Sequence, residues 1–368
     1  MTARRAGRAA IVRALDGTFR VEAVEFDAPR GREVLVEVRA AGLCHSDLNV
    51  ASIDRGRPLP LVAGHELAGV VVEVGPDVRR LRVGDHVVGT EVRACGECLR
   101  CLAGRPTLCL DPNALERDPA APPRITQDGA RIHTLGVSAF ATYSLADERQ
   151  FVAIPQDIPF APASLLGCGV STGVGAAWNV ARVAPGESVA VLGLGGVGLN
   201  IVAGAAMSGA ATIVAVDIDD AKLELARRFG ATHAIHSGRE PIEEALEAIV
   251  PLGVDHAFDA VGVRGMPVTA LRCTARGGSA YLIGIPRPGD LVELDTMRDV
   301  IGHQRSLRGV YMGGTNPGRD LPRYAERYRT GHLPLDELIS EEIDLADINR
   351  AYATPPARGA RAVITDFS

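Results

Sequence analysis

The chain has 368 residues, 46% of them hydrophobic, 23% charged and 4% aromatic, with 41 glycines; this fits two folded domains and excludes a disordered tail protein or a small disulfide scaffold. The 39 basic and 45 acidic residues leave a formal charge of -6, so the overall field attracts neither nucleic acid nor an anionic membrane.

At the N-terminus Arg4, Arg5 and Arg8 run directly into Ala10-Ile11-Val12 and the segment Phe19 to Val24. These alternating runs read as first strands of the fold rather than as a transit peptide. Up to about residue 168 further short runs follow, Val34 to Val38, Leu67 to Val74 and Asp85 to Val88, punctuated by Gly-Asp and Pro. Together they predict an irregular β-rich domain. From about 170 to 305 the pattern changes: strands at Ser188 to Leu192, Thr212 to Asp217, Ala257 to Ala260 and Ser279 to Ile283 alternate with helices such as Asp220 to Phe229 and Ile242 to Val250. Strands alternating with helices predict a parallel sheet covered on both faces. A polar helix (Leu321 to Thr330), a helix near Ala346 to Ala353 and a strand (Ala360 to Thr365) complete the chain. The segments 158–181 and 188–216 carry no charge, but the second contains six glycines that divide it into strand, turn, helix and strand, so no membrane span is expected.

The strongest local motif is Gly193-Leu194-Gly195-Gly196-Val197-Gly198, which follows a strand and opens a helix, with Asp217 about twenty residues further on at the end of the next strand. In this setting the motif is a dinucleotide fingerprint. Gly193 permits the tight turn, Gly195 lets the backbone approach a pyrophosphate, and Gly198 lets the helix pack on the strand, with the phosphate at the helix N-terminus. Asp217 would accept hydrogen bonds from the adenosine ribose. With Asp219 and Asp220 next to it and no Arg beside Asp217, a 2'-phosphate would meet negative charge, so NAD is expected rather than NADP.

Seven cysteines in a chain of this length do not make a disulfide framework, and their clustering points to metal in a reducing, cytoplasmic compartment. Cys95-x-x-Cys98-x-x-Cys101-x7-Cys109 offers four thiolates for one tetrahedral, structural Zn2+. An iron-sulfur cluster of the bacterial ferredoxin type would call for a fourth Cys three residues on, followed by Pro, whereas Leu110 follows Cys109. Cys44-His45-Ser46-Asp47, Gly64-His65-Glu66 and Gly167-Cys168-Gly169 are the remaining candidates for chemistry. Each also has an ordinary reading as core or turn.

Ala41-Gly42-Leu43-Cys44-His45-Ser46-Asp47, Ala63-Gly64-His65-Glu66, the four-cysteine lobe, Gly167-Cys168-Gly169-Val170-Ser171-Thr172-Gly173 and the glycine turn ending at Asp217 stand in the order and spacing of the zinc-containing medium-chain alcohol dehydrogenases. Over nearly its whole length the sequence resembles that family, and within it the liver-type and formaldehyde dehydrogenase branch. The resemblance implies an α/β fold in two parts: a GroES-like catalytic domain, residues 1–169 and 310–368, and a Rossmann domain with a doubly wound parallel sheet, residues 170–309. It implies a catalytic zinc held by Cys44, His65 and Cys168, so two Zn2+ per chain in all, with Asp47 orienting His65, Glu66 beside the metal and Ser46 taking the alcohol proton. It further implies that His45 and Arg361 face the cofactor pyrophosphate and Lys222 the adenosine ribose, and that the small-molecule substrate is an alcohol or its carbonyl product. Two positions depart from the pattern. Asn49 stands where liver-type enzymes carry the histidine that ends the proton relay, and Glu91 stands where many relatives line the substrate pocket with an aromatic ring. The segment Asp111 to Leu135 is the long loop of liver-type dimers, so a homodimer is expected, with Asp118, Arg124 and His133 solvated in it. His233, His236, His256, His303, His332 and Cys273 have no metal-ligand spacing and are expected to be structural. A thiol-adduct formaldehyde dehydrogenase and a non-catalytic protein that binds zinc and NAD are the alternatives.

Overall fold

The computed structural model describes residues 4–354 and 360–368. By its internal contacts the chain divides into two compact units, residues 1–168 with 316–330 and 335–368, and residues 169–315 with 331–334.

The first unit contains ten strands before residue 168: β1 Arg5–Val12, β2 Arg20–Phe26, β3 Glu33–Gly42, β4 Leu61–Val62, β5 Glu66–Val74, β6 His86–Gly89, β7 Ile125–Gln127, β8 Ala130–Thr134, β9 Tyr143–Asp147 and β10 Phe151–Ala153. Strands β1, β2, β7, β8 and β4 close into a barrel, around which Ile11, Phe26, Leu35, Ile125 and Ile132 form a buried cluster. The second unit contributes β11 Ser188–Leu192, β12 Thr212–Asp217, β13 His233–His236, β14 Val254–Asp259, β15 Thr274–Leu282 and β16 Ser306–Gly309. The chain then returns to the first unit with β17 Ile339–Asp344 and β18 Arg361–Asp366, which extend a seven-stranded sheet ordered β10-β6-β5-β3-β18-β17, with β9 also paired to β3.

In the second unit all five strand pairs are parallel, in the order β13-β12-β11-β14-β15-β16. This is the doubly wound arrangement, in which β11 lies at the point where strand order reverses. The central strands β11 and β12 read as continuous apolar runs because helices cover both faces: Val189 to Leu192 and Ile213 to Val216 are all buried. Among the described residues no single helix is long and apolar enough to cross a membrane.

The segment expected to be a long loop is partly barrel wall. Residues 125–127 and 130–134 pair as an antiparallel hairpin, turned by Asp128 and Gly129, both at positive φ (49° and 80°), the backbone that a two-residue hairpin turn requires. Nor is Arg124 solvated. It is 7% exposed, and its Nε donates to Glu33 Oε1 at 2.8 Å and its Nη2 to the Leu115 carbonyl at 2.9 Å. Arg117, in the same segment and half-buried, pairs with Asp27 at 2.7 Å and with Glu33, so two guanidiniums anchor this stretch to the barrel.

Candidate active site and metal centres

Cys44 ends the turn after β3, His65 directly precedes β5, and Cys168 lies at the end of the first unit. The paired ends of β3 and β5, with Gly42 opposite Glu66, bring the first two together. One ligating atom each from Cys44, His65, Glu66 and Cys168 lie within 4.8 Å of one another. His65 Nε2 is 3.2 Å from Cys168 Sγ, close to the ~3.6 Å expected between N and S ligands of a tetrahedral Zn2+. His65 Nδ1 faces Asp47 Oδ1 at 3.0 Å, and the same oxygen accepts the Gly64 N–H at 3.0 Å. The carboxylate therefore fixes the ring and leaves Nε2 as the inward donor.

Two buried oxygens at this cluster, Asp47 Oδ2 and Glu66 Oε2, have no hydrogen-bond partner among the described residues. Unpaired buried carboxylate oxygens beside two thiols and an imidazole form a donor set short of positive charge, which a divalent cation supplies. The electrostatics agree. Burial lowers the His65 pKa, but the charge of Asp47 and then of Cys168 more than offsets it and holds the ring well above its ordinary value. Burial pushes the Glu66 carboxyl up. A hydrogen bond with Cys168 holds the Cys44 thiol well below its usual value, with Arg361 acting in the same direction.

Ser46 Oγ lies 3.2 Å from Cys44 Sγ and 3.4 Å from His65 Nε2, so a small hydroxyl sits against the ligand atoms. Asn49 lies on the same helix, His45–Ser52, where its backbone carbonyl accepts the Ile53 N–H at 2.9 Å. His45 is exposed at that helix's first turn. Arg361, expected at the cofactor pyrophosphate, has contacts within the first unit: Nε lies 3.3 Å from Glu66 Oε1 and Nη2 lies 3.5 Å from Cys44 Sγ. The burial of Glu66 favours this, because an unpaired carboxyl there draws the nearest guanidinium inward.

The four other clustered cysteines also converge, with their sulfurs within 4.8 Å of one another. The Cys95–Cys101 and Cys98–Cys109 sulfur separations are 3.9 and 4.0 Å, against ~3.8 Å for a tetrahedral site with Zn–S bonds of about 2.3 Å. Backbone N–H groups of Cys95, Cys98, Leu110 and Asp111 donate to three of these sulfurs at 3.2 to 3.5 Å, which favours thiolates. All seven cysteines are free of disulfides.

In the second unit the glycine turn has the geometry its sequence predicts. Gly193 has φ of 91°. A Cβ on Gly198 would collide with the Gly193 carbonyl oxygen, whereas one on Gly195 would meet nothing within 4 Å. The helix Gly196–Met207 starts here, with Gly195 as its N-cap, so backbone N–H groups open onto free space at the end of β11. Asp217 ends β12 and its Oδ2 accepts the Leu194 N–H at 2.7 Å, which ties the acid to the turn. Lys222 lies on the next helix, Asp220–Arg228, half-buried.

Residues 30–156 match the alcohol dehydrogenase GroES-like domain and residues 196–328 the zinc-binding dehydrogenase domain. The chain belongs to the zinc-type alcohol dehydrogenase family. The S-(hydroxymethyl)glutathione dehydrogenase of Synechocystis sp. is 35% identical to it, over 94% of this chain and 95% of that protein. An NDMA-dependent alcohol dehydrogenase of Amycolatopsis methanolica is also 35% identical, over 94% of each. The crystal structure of benzyl alcohol dehydrogenase from Acinetobacter calcoaceticus superposes with a TM-score of 0.92 at 32% identity, covering 98% of this chain and 99% of that one. Other members of the zinc-type alcohol dehydrogenase family thus span the chain from end to end.

Two contacts at the two centres carry no local sequence signal. The Tyr352 hydroxyl donates to the Cys44 carbonyl at 3.0 Å across 308 residues. Arg149 donates to the Cys95 carbonyl at 2.6 Å while pairing with Asp147.

Proposed function

We propose that the protein is an NAD-dependent alcohol dehydrogenase with two zinc ions per chain, converting a primary or secondary alcohol to its aldehyde or ketone. The observation that carries this reading is the buried convergence of Cys44, His65 and Cys168 with Ser46 against them. Cys44 Sγ, His65 Nε2 and Cys168 Sγ would hold the catalytic ion, three protein ligands being the number that leaves a position open for substrate. The four-cysteine lobe would hold a second, structural ion. Zinc held by Cys44, His65 and Cys168 would supply the Lewis acidity that lowers the pKa of an alcohol, and NAD would supply the hydride acceptor.

The chain's own residues do the rest. Asp47 keeps the His65 ring in one tautomer and orientation. Ser46 Oγ receives the proton that the alcohol loses; with Asn49 in place of a base one helical turn on, that proton leaves from Ser46 through water or the cofactor ribose. Glu66 and Arg361 form an ion pair beside the thiolates that balances charge as the oxygen changes state. The turn Gly193, Gly195, Gly196, Val197 and Gly198 would bind the pyrophosphate, with His45 beside it, and Asp217 and Lys222 would flank the adenosine ribose. Asp219 and Asp220 support NAD over NADP. The nearby cation Arg239 is already paired with Asp220 at 2.6 Å, which leaves little positive charge for a 2'-phosphate.

A cytoplasmic homodimer fits the seven free thiols and the open edge of the parallel sheet at β16, where Ser306 and Arg308–Gly309 are exposed. A thiol-adduct formaldehyde dehydrogenase is the second reading, favoured by the name of the Synechocystis relative. An alcohol panel with NAD or NADP, run with and without glutathione, tests both. NADH formation from simple alcohols without thiol supports the first reading, and turnover confined to formaldehyde plus glutathione replaces it with the second. A zinc-loaded protein that binds NADH but turns over neither would be a non-catalytic binding protein.

A further inference from the structure

Tyr352 lies on the helix Ile348–Ala353, and its half-buried ring packs against the core of the first unit. The ring stacks on Phe19, with centroids 5.5 Å apart and planes 18° from parallel. Asn349, on the same helix, holds the backbone of Phe19 at both its polar groups: Oδ1 accepts the Phe19 N–H at 2.9 Å and Nδ2 donates to the Phe19 carbonyl at 2.8 Å. Those contacts call only for an aromatic ring at position 352. The hydroxyl does something else, donating at 3.0 Å to the carbonyl of Cys44. That carbonyl also accepts the Asp47 N–H at 3.0 Å, and Cys44 is the N-cap of the helix His45–Ser52, with no side-chain cap of its own. Two donors on one carbonyl restrain the plane of the peptide that joins Cys44 to this helix. The Cys44 thiol stands on one side of that peptide, and His45, Ser46 and Asp47 follow on the other. The same C-terminal segment meets this turn twice more: the Leu43 N–H donates to the Ala362 carbonyl at 2.9 Å, and Arg361 Nη2 lies 3.5 Å from Cys44 Sγ.

We infer that Tyr352 is a positioning residue for the catalytic cluster: through the Cys44 carbonyl, its hydroxyl sets the Cys44 sulfur and Ser46 Oγ in their places relative to each other. The inference rests on the alcohol dehydrogenase reading and deepens it by adding a residue 308 positions away from Cys44. Ser46 Oγ lies 3.2 Å from Cys44 Sγ and 3.4 Å from His65 Nε2, so a turn of the intervening peptide moves the proton acceptor with respect to the metal ligands. Such a shift lowers turnover more than affinity, because proton transfer needs hydrogen-bond distance while contacts to the rest of the substrate and to the cofactor stay as they are.

The test compares the wild type with Tyr352→Phe, which keeps the ring and removes the hydroxyl, and with Tyr328→Phe, which removes a hydroxyl bonded to Asp336 at 3.1 Å, away from both metal clusters. Three quantities are read: kcat and KM for an alcohol that the wild type oxidises, Tm, and the visible absorption of protein whose catalytic ion has been exchanged for Co2+, whose bands report the ligand geometry. Tyr352→Phe should lower kcat by about 3- to 10-fold, as expected for one lost hydrogen bond, with KM and NADH affinity unchanged. Its cobalt bands should move from their wild-type positions, while its Tm falls no further than that of Tyr328→Phe. The control should keep wild-type kcat and bands. Wild-type kcat and cobalt bands in Tyr352→Phe overturn the inference and leave the alcohol dehydrogenase reading standing. An equal fall of kcat in both variants, with unmoved bands, also overturns it, because the hydroxyl then contributes only to stability. Failure of the zinc-loaded wild type to oxidise any alcohol overturns the alcohol dehydrogenase reading and this inference with it.

Discussion

The Asp47 carboxylate does two jobs with one oxygen, orienting His65 and accepting the Gly64 N–H. Asp47→Ala should therefore lower zinc affinity at the catalytic cluster or alcohol turnover by about 10- to 100-fold, while the four-cysteine lobe keeps its metal; zinc per chain and kcat/KM read the two effects separately. A second residue-level prediction concerns Arg117. Burial raises the carboxyls of Glu33 and Asp27, but hydrogen bonds and charges from Arg117, with Arg124 acting on Glu33 and Arg30 on Asp27, more than offset it and hold both below their ordinary values. Groups depressed in this way contribute stability that is fully present above the unfolded carboxyl pKa of about 4 and is lost as pH falls through the lower folded values. Arg117→Ala should remove about 3–5 kcal/mol at neutral pH and move the acid-unfolding midpoint, followed by circular dichroism, to higher pH. An unmoved midpoint would mean that the pair contributes nothing net.

At the level of elements, the glycine turn separates folding from binding. Gly198→Ala forces a Cβ into the Gly193 carbonyl and should destabilise the second unit by at least about 1–3 kcal/mol. Gly195 has φ of -69° and open space where a methyl group would stand, so Gly195→Ala should leave Tm unchanged yet weaken NADH binding about tenfold or more; titration of NADH fluorescence measures this. Such constraints explain what the sequence made legible. Gly193, Gly195 and Gly198 answer to φ or to close approach, and four cysteines at short spacing answer to tetrahedral geometry, so both motifs are local. The β11 and β12 strands are readable because burial on both faces makes them apolar. By contrast β13, His-Ala-Ile-His, is short and polar at the sheet edge, and β7 and β8 lie in a Pro- and Arg-rich stretch where only Asp128-Gly129 marks the hairpin. The contacts of Tyr352, Arg149 and Arg361 at the metal centres join residues far apart in the chain, and no spacing rule reaches them.

For the whole molecule, the two compact units divide the labour: the first holds the candidate metal ligands found among the described residues, and the second holds the glycine turn with Asp217. Light scattering should give twice the chain mass if the open β16 edge is paired in a homodimer, and the single-chain mass if it is not. The most direct test of the account is alcohol-dependent NADH formation by protein carrying two zinc ions per chain. The account predicts turnover of at least one primary or secondary alcohol with NAD, absent in Cys168→Ser. Full activity in Cys168→Ser, or no turnover of any alcohol by the fully metallated wild type, would contradict it.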